Sequence, residues 1–74
     1  MARLEIESEV QGNVWKVLCE AGADVEAGQV LLIIESMKME IPVEAPAAGR
    51  LIELKVKPED VVDEDQLLAV VESG

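Results

Sequence analysis

A chain of 74 residues, half of them apolar, is one small domain, expected over 1–74, that would bury only about 60% of its unfolded surface. Sixteen acidic residues against six basic ones give a net charge of −10, which speaks against nucleic-acid binding, where Lys and Arg must neutralise phosphates. It fits a monomer steered towards basic partner surfaces. With no His and a single Cys, the usual general bases, nucleophiles and metal ligands are nearly absent, so neither a catalytic residue nor a metal site is expected.

In chain order, runs at 3–7, 13–19, 30–35, 40–44, 50–56 and 67–72 are short, rich in Val, Ile and Leu, and alternate with a period of two. They are separated by turn residues: Gln11-Gly12, Gly22-Ala23-Asp24, Ala27-Gly28, Pro46-Ala47-Ala48-Gly49 and Pro58-Glu59-Asp60. Pro42 predicts an edge position for the fourth run, because proline cannot donate to a ladder. No window combines helical periodicity with caps. No apolar run approaches the roughly 20 residues needed to cross a bilayer. Cys19, alone and without a secretory signal, fits a reducing cytoplasm.

The chain also repeats itself. Residues 1–37 lie over 38–74 at a constant offset of 37, with seven identities that include Gly12/Gly49, Gln29/Gln66, Leu31/Leu68 and Glu35-Ser36/Glu72-Ser73. Apolar positions agree as well: Leu4 and Ile6 match Ile41 and Val43, and Trp15, Val17 and Cys19 match Ile52, Leu54 and Val56. Two all-β halves too small to bury a face alone should pack on one another about a pseudo-two-fold axis. The junction between Met37 and Lys38 would then lie at the pole opposite the chain ends. Trp15 and Cys19 fall in the inward-facing set and are expected in the core.

That junction is Ser36-Met37-Lys38-Met39-Glu40. Strands on either side leave a connection of about two residues, a length that favours type I′ or II′ turns and ordinarily wants Gly or Asn. Neither is present, which predicts strain retained for function. Lysine amines are protonated at neutral pH and weakly nucleophilic. An acylating enzyme must therefore grip such a lysine, desolvate it and remove its proton. A fixed hairpin supplies position, and flexible thioethers supply an adaptable contact surface. Lys16, Lys55 and Lys57 have no such setting and are read as solvated surface.

The motif Glu35-Ser36-Met37-Lys38-Met39 resembles the hallmark of the biotinyl/lipoyl attachment domain family, of the biotin carboxyl carrier type. Gly12-Asn13-Val14-Trp15-Lys16-Val17, Gly22 to Gln29, and Ala48-Gly49-Arg50-Leu51 resemble the family's other turns and strands. The resemblance implies a flattened β-barrel or sandwich of two four-stranded antiparallel sheets, with extra short strands near Val25 and Val61-Val62. The absence of an insertion between Val17 and Gly28 implies that the protruding thumb of some acetyl-CoA carboxylase carriers is missing. Glu9-Val10-Gln11 stands where the family often has Pro-Met-Pro. Glu59 and Asp65 replace the glycines that symmetry with Gly22 and Gly28 would supply, so the second turn is expected to differ from the first.

The resemblance further implies biotin, amide-linked to Lys38 by a biotin protein ligase, with Ser36, Met37, Met39 and Glu40 as flanking recognition residues. A biotin carboxylase would carboxylate the biotin ring, and a carboxyltransferase would pass the carboxyl group on to its acceptor. The chain would be a carrier, not an enzyme. Lipoylation of the same lysine is the alternative, although lipoyl relatives typically carry Asp-Lys-Ala at this point. An unmodified interaction module, or an autonomous enzyme, finds less support in these residues. The Glu59–Asp65 stretch reads as a solvated acidic turn, whose spacing matches no EF-hand.

Overall fold

The computed structural model describes residues 2–73. Eight strands make up its regular structure: β1 (Ala2–Glu7), β2 (Gly12–Val17), β3 (Asp24–Val25), β4 (Val30–Ser36), β5 (Met39–Glu44), β6 (Gly49–Leu54), β7 (Val61–Val62) and β8 (Leu67–Ser73). They form two four-stranded antiparallel sheets, ordered β1-β8-β6-β3 and β5-β4-β2-β7. Exchanging each strand for the one four places along converts one order into the other, so the sequence repeat becomes a structural one. The sheets remain separate, a sandwich and not a closed barrel. β3 and β7 are the short strands expected near Val25 and Val61-Val62, and Pro42 lies on an edge strand as anticipated.

Alternating side chains from both sheets meet in the middle. Leu31, Leu32, Leu51, Val62, Leu68, Ala69 and Val71 are fully buried, with Ile6, Val14, Ile34, Cys19 and Val56 around them. Each buried leucine or valine contributes roughly 1.5–3 kcal/mol, which a domain this small depends on. Val70 points the other way. It is covered on the outer face by Arg3, Glu53 and Lys55, whose charged ends pair at 3.2 Å (Arg3–Glu53) and 2.9 Å (Lys55–Glu53). Their aliphatic stems shield it while the charges stay in water.

Trp15 is not in the core. β2 pairs Val14 with Ile34 and Lys16 with Ile33, so Trp15 is the extra residue of a β-bulge. The same irregularity falls between Leu51 and Glu53 in β6, at the symmetry-related Ile52. A bulge shifts the in–out alternation by one. Val14 therefore faces inward before it, Val17 and Cys19 after it, and Trp15 is left 43% exposed with the Lys16 ammonium 4.6 Å from its ring centre. Cys19 is buried as expected and accepts a contact from the Gln29 amide at 3.3 Å.

The two turn systems are alike, contrary to the sequence expectation. Gly22 and Gly28 have φ of 98° and 83°, and Glu59 and Asp65 adopt 76° and 67°. Hydrogen bonds repeat at the same offset: Gly22 N–H donates to Leu51 C=O and Glu59 N–H to Val14 C=O. Gly28 N–H likewise donates to Ala45 C=O and Asp65 N–H to Ser8 C=O. Tertiary hydrogen bonds hold the backbone in the left-handed region, and the side chains tolerate a conformation that glycine would adopt more cheaply.

Candidate functional site

β4 and β5 form a hairpin closed by Met37 and Lys38 alone, with Ser36 opposite Met39 and Glu35 opposite Glu40. Both turn residues have positive φ, 51° and 65°, the pattern of a type I′ turn. The strain expected from the missing Gly and Asn is therefore present, at about 1–2 kcal/mol for each non-glycine residue. β5 then runs six residues to the far end, where Gly49 packs against Glu72 and Ser73. Ala2 pairs with Ser73 at that end, so the hairpin tip and the described ends of the chain lie at opposite poles. Met1 and Gly74 themselves lie outside the described residues.

At the tip, Met37 is 93% exposed and Met39 62%, and Lys38 and Glu40 are exposed beside them. Lys38 takes part in no ion pair among the described residues. Its amine is free for an enzyme to approach, and Ser36, Met37, Met39 and Glu40 are brought round it by hairpin geometry.

The base of the tip is braced from one side. The Ser36 hydroxyl donates to the Gln11 carbonyl at 2.7 Å, and the Gln11 amide reaches Asp63 at 3.4 Å. Behind them Gly12 sits so close to β4 that a Cβ there would strike the Glu35 carbonyl oxygen and the Ile34 side chain. The segment at Glu9-Val10-Gln11 is shaped by Ser8, a buried residue whose hydroxyl donates to Val10 C=O at 2.5 Å. A serine turn thus fixes the loop leading to Gly12. Gln11 and Gly12 are supports that sequence reading did not assign to the site, although the Gly12/Gly49 identity marked a position needing glycine.

Beyond the brace, the outer surface of β2 and β4 holds a shallow hollow of about 330 Å³ lined by Asn13, Val14, Trp15, Glu35 and Glu59. Among the described residues no group of His, Cys, Asp and Glu is arranged to hold a metal. No helix in them is long and apolar enough to cross a membrane.

Residues 3–71 match the Biotin_lipoyl family, described as "Biotin-requiring enzyme". The chain is 43% identical over 65 residues to the biotin/lipoyl attachment protein of Bacillus subtilis (strain 168), covering 88% of this chain and 89% of that one. It is 37% identical over 67 residues to the biotinylated protein TB7.3 homolog of Mycobacterium leprae (strain TN), covering 90% and 94% respectively. Among solved structures, urea carboxylase of Kluyveromyces lactis superposes with a TM-score of 0.90 at 35% identity, over 97% of this chain and 6% of that much longer one. With the fold, the hairpin and these likenesses in hand, the chain is a member of the biotin/lipoyl attachment domain family.

Proposed function

We propose that Lys38 is the attachment point for biotin and that the chain, a single domain over 1–74, serves as a biotin carboxyl carrier. The observation that carries this reading is the free, exposed Lys38 amine at a strained two-residue turn between two exposed methionines. The fit of the group is chemical: an amide needs an unpaired amine with open space around it, and the tip supplies both. Bound biotin would supply a ring nitrogen able to carry a carboxyl group.

In the attachment step, a biotin protein ligase holds Met37 and Met39 and takes a proton from the Lys38 ammonium. The Nζ lone pair then attacks the acyl carbon of biotinyl-AMP, so the amide C–N bond forms, the acyl–phosphate C–O bond breaks, and AMP leaves. Acylation removes one positive charge from a chain already at −10. Afterwards the chain tethers its cargo, replacing free diffusion by an effective concentration in the millimolar range. Its partners on this reading are the ligase, a biotin carboxylase and a carboxyltransferase. It works as a monomer in the cytoplasm and catalyses nothing itself. Choice of the carboxyl acceptor belongs to the carboxyltransferase.

A second reading, lipoylation of the same lysine, is favoured by the name of the Bacillus subtilis relative, which includes both groups. Incubating the purified chain separately with biotin ligase and lipoate ligase, each with its substrate and ATP, and weighing the product tests both. Mass gain with biotin supports the proposal. Gain with lipoate alone replaces it with the second reading.

A further inference from the structure

Two of the chain's three methionines flank Lys38, and Met37 is almost wholly in water. The scaffold does not require them. By the internal repeat Met39 corresponds to Ala2 and Met37 to Gly74, whereas the structural neighbours Glu35 and Ser36 recur as Glu72 and Ser73. Their thioethers are open to small oxidants, while Cys19 is buried, with the Gln29 amide and the Val30 carbonyl against its thiol. Exposure governs which sulfur a peroxide reaches first.

We propose that Met37 and Met39 form a reversible oxidation site that gates acylation of Lys38; this rests on the reading of Lys38 as the acceptor. In the oxidative step a hydroperoxide transfers one oxygen atom to the sulfur. The S–O bond forms, the O–O bond breaks, sulfur loses two electrons, and the peroxide leaves as water or an alcohol. In the reverse step a methionine sulfoxide reductase supplies two thiols, which become a disulfide as the oxygen departs as water. The fold is indifferent to either step, since the hairpin is held by backbone pairing and neither side chain belongs to the core.

An acylating enzyme is not indifferent. It must cover flexible apolar side chains to reach the amine, and a sulfoxide forces it to desolvate a strongly polar oxygen. A penalty of that kind corresponds to a loss of about tenfold or more in rate.

The experiment uses the intact unmodified chain. It is treated with hydrogen peroxide until peptide masses show one added oxygen on each of Met37 and Met39. After peroxide removal, biotin ligase, biotin and ATP are added and intact mass is followed with time. The untreated chain should be modified about tenfold or more faster than the oxidised one, with the same unfolding midpoint for both. Methionine sulfoxide reductase should restore the rate. Cys19→Val, which copies the symmetry-related Val56, should keep full peroxide sensitivity. The Met37→Leu/Met39→Leu chain should lose nothing further on treatment, whatever its own starting rate. Equal rates for oxidised and untreated chains would overturn the proposal, as would undiminished peroxide sensitivity in the double leucine variant. An untreated chain that gains no biotin would overturn the acceptor reading itself, a result separable by occurring before any oxidation.

Discussion

The two poles of the sandwich have the same skeleton and different tips. At the lysine pole Gly12 packs under Glu35 and Ser36; at the other, Gly49 packs under Glu72 and Ser73. Residues that recur in both halves hold the sheets together. Among the positions where the halves differ, Met37, Lys38, Met39 and Glu40 fall together in one hairpin where local turn preference is violated. On the proposed reading of Lys38, the difference separates what the fold needs from what an acylating enzyme would need.

If that division is right, damage to shared positions should cost the two halves alike. Leu31 and Leu68 are symmetry mates and both fully buried. Leu31→Ala and Leu68→Ala should each lose about 2–5 kcal/mol, measured by urea unfolding. A large inequality would break the equivalence of the halves. At the unshared tip the sign should reverse. Replacing Met37-Lys38 by Asn-Gly, the preferred type I′ pair, should stabilise the chain by about 1–3 kcal/mol while abolishing attachment.

A smaller gain should come from the second turn system. Glu59→Gly relieves a left-handed residue and should stabilise by about 0.5–1 kcal/mol, with Asp65→Gly giving less because aspartate tolerates that region better. The matching Gly22→Ala and Gly28→Ala changes should be destabilising.

Smallest is a pH effect confined to the outer face of the β1-β8-β6-β3 sheet. A hydrogen bond from Lys55, then the Lys55 charge and more weakly that of Arg3, hold the Glu53 carboxyl below the ordinary carboxylate value, against a desolvation that raises it. The folded state therefore binds that proton less readily than the unfolded chain. Its contribution is complete above the unfolded value of about 4.3 and is lost as pH falls through the lower folded value. Glu53→Gln should lower the unfolding midpoint slightly at pH 7, where that contribution is complete, and flatten its further fall below about pH 4.3.

Much of this was legible in the sequence because period-two alternation and the offset of 37 report on which side chains share a face. The strands, the short turn at Met37-Lys38 and the burial of Cys19 follow from them, and the edge position of Pro42 follows from its missing N–H. Two features did not follow. Counting by twos puts Trp15 inward because it cannot register a bulge, which is a property of pairing with β4 and not of β2 alone. Glu59 and Asp65 lacked the glycine that marks a left-handed turn, yet hydrogen bonds to Val14 and Ser8 impose it. The brace from Gln11 to Ser36 was hidden for a similar reason, since it joins residues 25 apart.

The central claim, that the lysine tip alone is built for acylation, is tested most directly by peptide mapping of the chain after exhaustive treatment with biotin ligase. The account predicts one biotinyl group, entirely on Lys38, with Lys16, Lys55 and Lys57 unmodified and Lys38→Arg gaining no mass. Biotin distributed over the other lysines, or a Lys38→Arg chain modified as readily as the native one, would contradict it.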